Sequence, residues 1–306
     1  MNIFKACIFL VVSAGLAFAQ AERGVMQREA SIYVSPDAKS QKLGKVLRGR
    51  EVVVLETSRT FLKVFADLEN DREVTGWILD KGIVRATTPN GDKILFGEAI
   101  DSENEASRRG GRKGADKDAL RLYYRTAEYF PKSELAGESL WRAADIRWQL
   151  EKADVMSRKS AKEMDRRLRQ EITEDWMKEV QKKFPNTKWA DLASYAKIDN
   201  KLCGEWQGLP KCPENEAEMY EKYVREHPQS PKVAEALYEA AWRQAALIEI
   251  YRERGDNGKS EQAKAKARAL AQQIIGQNAQ GDWAYRAHRL VYMLDQGIPT
   301  YGPSLE

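Results

Sequence analysis

An internal similarity in the second half of the chain constrains its fold more than any other sequence feature. Four segments align when Pro131, Pro185, Pro228 and Ala279 are taken as a common reference position. Mostly apolar residues stand nine and five positions before this reference, which places them on one face of a helix. A proline disfavours helical geometry in the residue before it, so that helix ends there. Each segment therefore predicts a helix, a tight turn and a second helix.

The residues after the reference position predict how the second helix begins and packs. Pro231 is expected at the first position of its helix, where a missing N–H costs nothing. Two positions after the reference, each segment has a residue that can cap a helix: Ser133, Thr187, Ser230 and Gly281. Ten positions after it, three segments have an aromatic residue: Trp141, Tyr195 and Tyr238. We expect these rings to fill the groove beside the neighbouring helix, as core residues rather than ligand contacts.

The turn pattern resembles the tetratricopeptide-like family, in the form found in exported bacterial envelope proteins. Its signature stands at Phe130-Pro131, Phe184-Pro185 and His227-Pro228. The resemblance implies an all-α helical repeat domain over residues 118–297 that binds a protein partner. The turns are unevenly spaced. We expect the extra residues in long helices, such as the run 138–184 without Gly or Pro, and in a cysteine-containing loop.

The first part of the chain carries strand patterns instead. Short runs rich in β-branched and aromatic residues cover 51–56, 61–65 and 74–79, and turn residues separate them. Such runs are typical of a small antiparallel barrel.

The order of these runs resembles the bacterial SH3-like domain. The matching residues are Pro36, Gly44, Gly49, Val52, Val54, Val64, Gly76, Trp77 and Ile78. The resemblance implies a binding module, often for peptidoglycan in exported bacterial proteins. Three aromatic residues are the candidate binding contacts: Tyr33, Phe61 and Trp77. Barrel core is the alternative role, which we favour for Trp77, whereas Tyr33 is the better candidate for an exposed contact.

The two ends and the join between the modules complete the predicted layout. Residues 1–19 have a basic start, an apolar run and small residues before a cleavage point, which is the pattern of a secretory signal peptide. The barrel is expected over 22–99, with an Asn-Gly hairpin inside 87–100. Residues 100–117 hold glycine and dense charge without apolar periodicity, so they predict a flexible linker. Residues 298–306 form a tail.

The predicted fold class is therefore a multidomain chain. A small all-β SH3-like barrel is followed by an all-α tetratricopeptide-like helical repeat domain.

Two cysteines, Cys203 and Cys212, remain once the predicted signal peptide is removed. An even count in an exported chain predicts a disulfide. A redox or metal pair is the alternative. Neither cysteine has CxxC spacing and no histidine lies nearby in the sequence, so a structural bridge is favoured.

The sequence offers few candidates for catalysis. Neither of its two histidines stands in an HExxH pattern, and it contains no P-loop and no GxGxxG motif. Glu138 and Asp145 are seven residues apart on one predicted helix, but surface acids explain them better than a catalytic pair does. The formal net charge of +4 is low for a dedicated nucleic-acid binder. We expect no catalytic residues, no metal, no cofactor, no nucleic-acid partner and no transmembrane segment after signal cleavage.

Together these features predict a non-catalytic adaptor or scaffold in the periplasm or cell envelope. Its SH3-like module would contact peptidoglycan or a peptide, and its helical repeats would bind a protein partner. The alternative is an exported peptidoglycan hydrolase with an SH3-like targeting module. A deep acidic cleft would favour the hydrolase, and a shallow helical groove would favour the adaptor.

Overall fold

The computed structural model describes residues 22–69, 71–277 and 279–302, and the chain divides into two compact units at Arg85 and Ala86. The first unit is built of strands and the second of helices, which confirms the predicted order of a β domain followed by an α domain. The predicted signal peptide, residues 1–19, lies outside the described residues.

The β unit is a seven-stranded antiparallel sheet with the order β3-β2-β6-β5-β4-β1-β7. The predicted runs of β-branched and aromatic residues form its long strands, as their β propensity indicates. The strands are β1 (Arg23–Met26), β2 (Ala30–Tyr33), β3 (Lys42–Val46), β4 (Glu51–Ser58), β5 (Phe61–Asp67), β6 (Glu73–Leu79) and β7 (Ile83–Val84).

Alternation along the strands sends one set of side chains into the core of the β unit. Leu62 and Val64 of β5 pack there with Ile78 of β6. Gly76 lies on the same face, and a Cβ atom at this position would come within 2.8 Å of the Tyr33 carbonyl oxygen. The close approach of β6 to β2 therefore requires glycine at this position.

The helical unit contains nine α-helices within the described residues. They are α1 (Gly91–Ser107), α2 (Ala115–Tyr129), α3 (Ala136–Met156), α4 (Asp175–Lys183), α5 (Lys188–Ala196), α6 (Lys211–Glu226), α7 (Val233–Glu253), α8 (Asn257–Gln277) and α9 (Asp282–Gln296). Short 3₁₀ segments cover Lys159–Lys162, Arg166–Leu168 and Lys197–Lys201. None of the helices in the described part of the chain is long and apolar enough to span a membrane.

Helix α1 overturns two predictions, the hairpin inside 87–100 and the flexible linker over 100–117. Asn90 adopts a left-handed conformation (φ 54°) and begins α1, so the Asn-Gly pair starts a helix instead of turning a hairpin. The face of α1 that is buried combines Leu95 and Ala99 with the polar Glu98 and Ser102. Because this face is not uniformly apolar, the sequence shows no helical periodicity there.

The glycines of the predicted linker form a tight turn between α1 and α2. Gly110 (φ 77°) and Gly114 (φ 81°) are left-handed, a conformation that glycine adopts at little cost. A Cβ atom on Gly111 would lie 1.8 Å from the Glu105 carbonyl oxygen. Arg112 Nη2 is 2.6 Å from the carboxylate of the buried Asp118. The glycines and charged residues of this segment therefore stabilise an ordered turn between α1 and α2.

The expected long helix over 138–184 is also wrong, because α3 ends at Met156 and α4 begins at Asp175. The intervening residues are mostly polar, but two contacts hold them in place. Asn200 accepts a hydrogen bond from the Ile172 N–H and donates one to its carbonyl, both at 2.9 Å. The N–H of Gly204 donates to the Glu163 carbonyl at 3.0 Å. This stretch thus packs against the loop that contains the cysteines.

The three proline turns share one backbone conformation. The residues that precede the prolines have φ/ψ of −126°/59° at Phe130, −128°/56° at Phe184 and −129°/57° at His227. Each of these residues closes its helix by donating its N–H to the carbonyl four residues earlier. The predicted helix ends are therefore confirmed.

The predicted helix starts are confirmed at Thr187 and Gly281, which are the N-caps of α5 and α9. At the other two turns the helix starts later, at Ala136 and Val233, so Pro231 precedes its helix. Ser133 and Ser230 instead accept a hydrogen bond from the N–H two residues on, at 3.1 Å in both cases.

Candidate ligand-binding groove

A cavity of about 420 Å³ opens among α3, α5, α6 and α7 of the helical unit. Its walls combine aromatic rings with charged side chains. A second depression of about 410 Å³ adjoins it and shares Glu239 and Arg243 with it. We call the two together the groove.

The groove is where the residues ten positions after each reference position lie. Trp141 and Tyr195 line the first cavity, and Tyr238 lines the second. The equivalent residue of the fourth segment is Arg289, which also lines the second depression and donates a hydrogen bond to the Tyr238 hydroxyl at 3.2 Å. Trp141 and Tyr195 are half-buried and pack against the hydrophobic core, so they combine the expected packing role with ring surface at the groove, whereas Tyr238 is buried as expected.

Aromatic packing holds Tyr195 at the base of the first cavity. Its ring centroid lies 5.2 Å from that of Tyr223 and 6.1 Å from that of Tyr220, both on α6. Lys232 Nζ stands 5.3 Å from the Tyr195 ring centroid, within range of a cation–π attraction. Burial raises the pKa of the Tyr195 hydroxyl, and nearby Glu235 raises it further, so this group stays neutral.

The cations of the first cavity are already matched by carboxylates. Lys152 Nζ lies 2.8 Å from Asp199 Oδ2, which also accepts a hydrogen bond from the Trp148 indole N–H at 3.1 Å. Lys232 Nζ lies 2.6 Å from Glu235 Oε2.

Arg243 is the third cation of the first cavity, and it joins both parts of the groove. Its guanidinium contacts two carboxylates, Glu216 at 3.0 Å and Glu239, and stacks 4.8 Å from the Tyr220 ring centroid.

Asp145 differs from the other carboxylates of the cavity. It accepts one long hydrogen bond, from Gln149 Nε2 at 3.3 Å, and no cation of the described residues lies within salt-bridge distance. Burial raises the pKa of the Asp145 carboxyl, and the hydrogen bond from Gln149 together with the more distant charges of Lys232 and Lys152 offsets only part of that rise. Glu138, seven residues before it on the same helix, is paired with Arg142 and does not line the cavity.

The cysteine loop forms one wall of the second depression. The predicted disulfide between Cys203 and Cys212 is present, with Cα atoms 6.1 Å apart. The buried carboxylate of Glu216 accepts hydrogen bonds from the Cys203 N–H at 2.9 Å and from the Trp206 indole N–H at 3.2 Å. Glu216 therefore connects the loop to Arg243 and fixes Trp206 at the groove.

The structure brings the three candidate residues of the β unit together. Tyr33 and Trp77 are cross-strand partners, and the Tyr33 and Phe61 rings meet edge to face at 6.4 Å between centroids. Tyr33 and Phe61 are 9% and 8% exposed, so Tyr33 is not the exposed contact expected. Trp77 is half-buried and, since strand residues alternate, points away from Ile78 and the core, contrary to the expectation for it.

Charge surrounds these rings as well. Lys42 Nζ lies 6.0 Å from the Tyr33 ring centroid and Lys63 Nζ 5.9 Å from that of Trp77. Phe65 and Leu79, on the same face as Trp77, are 38% and 42% exposed. This face of the β unit therefore leaves apolar surface exposed, which is a common property of contact sites.

The described residues contain no group of three or more His, Cys, Asp and Glu side chains that could hold a metal ion. His227 packs 4.8 Å from the Tyr223 ring, and its Nδ1 is 2.7 Å from Asp191 Oδ1. This histidine thus stabilises its turn, as the alignment with Phe130 and Phe184 indicates.

No family model matches the chain, and no curated protein matches it. Among solved structures, the chain is similar to one titled "DHF119 filament", at 16% sequence identity and a TM-score of 0.24. The match covers 67% of this chain and 92% of the other. A TM-score of this size carries no argument about fold or assembly.

Proposed function

We propose that this protein is a non-catalytic adaptor whose helical unit binds a segment of a protein partner in the groove. The observation that carries the proposal is the placement of Trp141, Tyr195 and Tyr238 along that groove. Half-buried aromatic rings, such as those of Trp141 and Tyr195, supply large contact area at low entropic cost, and such rings are frequent anchors of protein interfaces.

The resemblance to tetratricopeptide-like repeats supports this proposal. Three turns with one backbone conformation are what repeated helix–turn–helix units require, and equivalent positions of the four segments meet at the groove. Stacked helical units commonly present such a surface to a partner.

The chemistry of the cavity favours binding over hydrolysis. Glycoside hydrolysis uses two carboxylates that both face the substrate. Within the cavity, Asp199, Glu235 and Glu239 are engaged with cations, and only Asp145 is not.

The β unit is proposed to act as an SH3-like module that contacts peptidoglycan or a peptide. The support is the sequence resemblance together with the exposed apolar face around Trp77, Phe65 and Leu79. The proposed location, periplasm or cell envelope, is supported by the signal-peptide pattern and by a disulfide that requires an oxidising compartment.

The test uses the chain without its predicted signal peptide, residues 20–306. It is immobilised and exposed to an envelope extract, with Trp141→Ala and Phe65→Ala variants as a matched pair and thermal melting to show that both are folded. An adaptor captures a defined protein that Trp141→Ala loses and Phe65→Ala retains. Sedimentation with purified peptidoglycan tests the β unit, and the Phe65→Ala variant should sediment less.

A zymogram on peptidoglycan tests the alternative. Clearing of the wall by the purified chain would overturn the adaptor in favour of the hydrolase. Equal capture of the same proteins by wild type and Trp141→Ala would remove the groove from the proposal.

A further inference from the structure

We propose that the first cavity of the groove accepts a lysine or arginine side chain of the partner polypeptide, and that Asp145 is its counter-charge. This inference rests on the proposed function, since it assumes that the groove binds a protein segment. It adds the chemical class of the anchoring side chain and the residue that recognises it.

The balance of charge in the cavity carries the inference. Three cations line it, and each has a carboxylate partner: Lys152 with Asp199, Lys232 with Glu235, and Arg243 with Glu239 and the adjacent Glu216. Asp145 is the lining carboxylate with no cation within salt-bridge distance, and Lys232 and Lys152 attract it only from further away. An anionic ligand could pair with one of these cations only by breaking an existing ion pair. A cationic ligand would instead form a new ion pair with Asp145.

The walls of the cavity suit a cation on a long apolar stem. Trp141 and Tyr195 present ring surfaces to which alkyl groups pack and cations are attracted. Lys232, which stands 5.3 Å from the Tyr195 ring, already makes such a contact inside the cavity. A lysine or arginine side chain would use the same rings and end at the Asp145 carboxylate.

The form of the groove favours a polypeptide over a free amine. The first cavity, at about 420 Å³, falls within the usual size of ligand pockets and leaves room for backbone beside one side chain. It continues through Glu239 and Arg243 into the second depression, where Tyr238, Trp242 and Arg289 offer a further surface. An extended chain can occupy both parts.

The test compares peptides that differ only in the anchoring charge. The probes are the acetylated and amidated peptide Ala-Ala-Lys-Ala-Ala, its norleucine counterpart, free n-butylamine and an N-acetylglucosamine tetramer. Each is titrated into the chain of residues 20–306 and followed through the tryptophan indole N–H signals by NMR, which detects millimolar binding. The variants are Asp145→Asn and, as the matched control, Asp154→Asn on the exposed face of the same helix.

We expect the lysine peptide to bind wild type and Asp154→Asn equally and Asp145→Asn at least about tenfold more weakly, since a charge-assisted contact of this kind is worth that factor or more. The norleucine peptide should bind wild type no more tightly than it binds Asp145→Asn. Free n-butylamine should bind wild type more weakly than the lysine peptide does. Equal binding of the lysine and norleucine peptides would overturn the inference, as would undiminished binding to Asp145→Asn, the absence of any peptide binding, or binding of the sugar alone.

The pH dependence of binding is a further readout. A cation at Asp145 favours the ionised carboxyl, so the affinity of the lysine peptide should fall as pH drops below the pKa of Asp145, and Asp145→Asn should show no such fall. The other charged groups around Asp145 are Glu103, Lys152, Asp199, Lys232, Glu235, Glu239 and Arg243. Identical profiles in the two chains would count against Asp145.

Failure of this inference can be told apart from failure of the proposed function. If Trp141→Ala loses the captured partner and Asp145→Asn retains it, the groove binds protein without recognising a cation. If both variants retain it, neither proposal holds.

Discussion

The β unit and the helical unit each gather aromatic residues at one place, but they hold them differently. On the sheet, Tyr33 and Phe61 close on each other and on neighbouring strands until less than a tenth of either is exposed. In the groove, Trp141 and Tyr195 remain half-buried beside a network of ion pairs. The first set stabilises a fold, and the second set leaves ring surface available to a ligand.

The difference shows that an aromatic residue alone does not mark a binding site. The proposed anchoring site combines ring surface with a carboxylate, Asp145, that has no cation within salt-bridge distance. Where packing alone surrounds the ring, as at Phe61, its role is structural.

The ion pairs of the groove should be the most sensitive part of the molecule. Glu216→Ala removes the carboxylate that joins the Cys203 N–H, Trp206 and Arg243, and it leaves a buried guanidinium short of one partner. We expect a loss of about 3–5 kcal/mol in the free energy of unfolding, measured by urea denaturation. Glu218→Ala, on the exposed face of the same helix, is the control and should change little. Equal effects of the two would show that the network does not stabilise the groove.

The two faces of β6 should respond unequally. Ile78→Ala opens a cavity in the core of the β unit and should cost about 2–5 kcal/mol. Trp77→Ala should cost less although it removes more atoms, because Trp77 lies on the opposite, half-buried face. Thermal unfolding of the two variants makes the comparison, and a larger loss for Trp77→Ala would place its ring in the core after all.

Removing the disulfide should loosen the groove and leave the sheet unaffected. The bridge closes a ten-residue loop, so replacing both Cys203 and Cys212 by serine should cost about 2–3 kcal/mol on the chain-entropy relation. Hydrogen exchange should rise around Trp206 and stay constant in β5 and β6. A uniform increase over both units would show that the bridge also stabilises the sheet.

The smallest effect concerns Asp145 and depends on pH. Burial raises its folded-state pKa above the unfolded value, so the folded chain holds the proton more tightly and stability falls as pH rises through that window. Asp145→Asn removes the ionisation and should slightly increase the free energy of unfolding at neutral pH. The gain should shrink below the folded-state pKa. A variant that is less stable at neutral pH would show that Asp145 contributes to the fold.

Sequence patterns predicted the parts of this fold in which local chemistry decides the conformation. The prolines ended their helices as expected, the β-branched runs formed strands, and the two cysteines formed a bridge. Helix α1 escaped prediction because its buried face includes Glu98 and Ser102, whose burial depends on neighbours far along the chain.

The sequence alone could indicate one part of the candidate site, the aromatic residues, but not the other. Alignment of the four segments placed Trp141, Tyr195 and Tyr238 at equivalent positions, and this was the signal that could have located the groove. Asp145 was named in the sequence but interpreted as a surface acid, since its lack of a cation within salt-bridge distance depends on where Lys152 and Lys232 find their partners. Such a mismatch exists only once the helices are packed.

Glu216 accepts hydrogen bonds from the Cys203 N–H and from the Trp206 indole N–H, so it connects the disulfide loop to the wall of the second depression. The wall of the second depression depends on a covalent bond that forms only under oxidising conditions. In a reducing environment, the same chain would keep its helices but hold that wall less firmly. The firmness of this wall therefore depends on the redox state of Cys203 and Cys212.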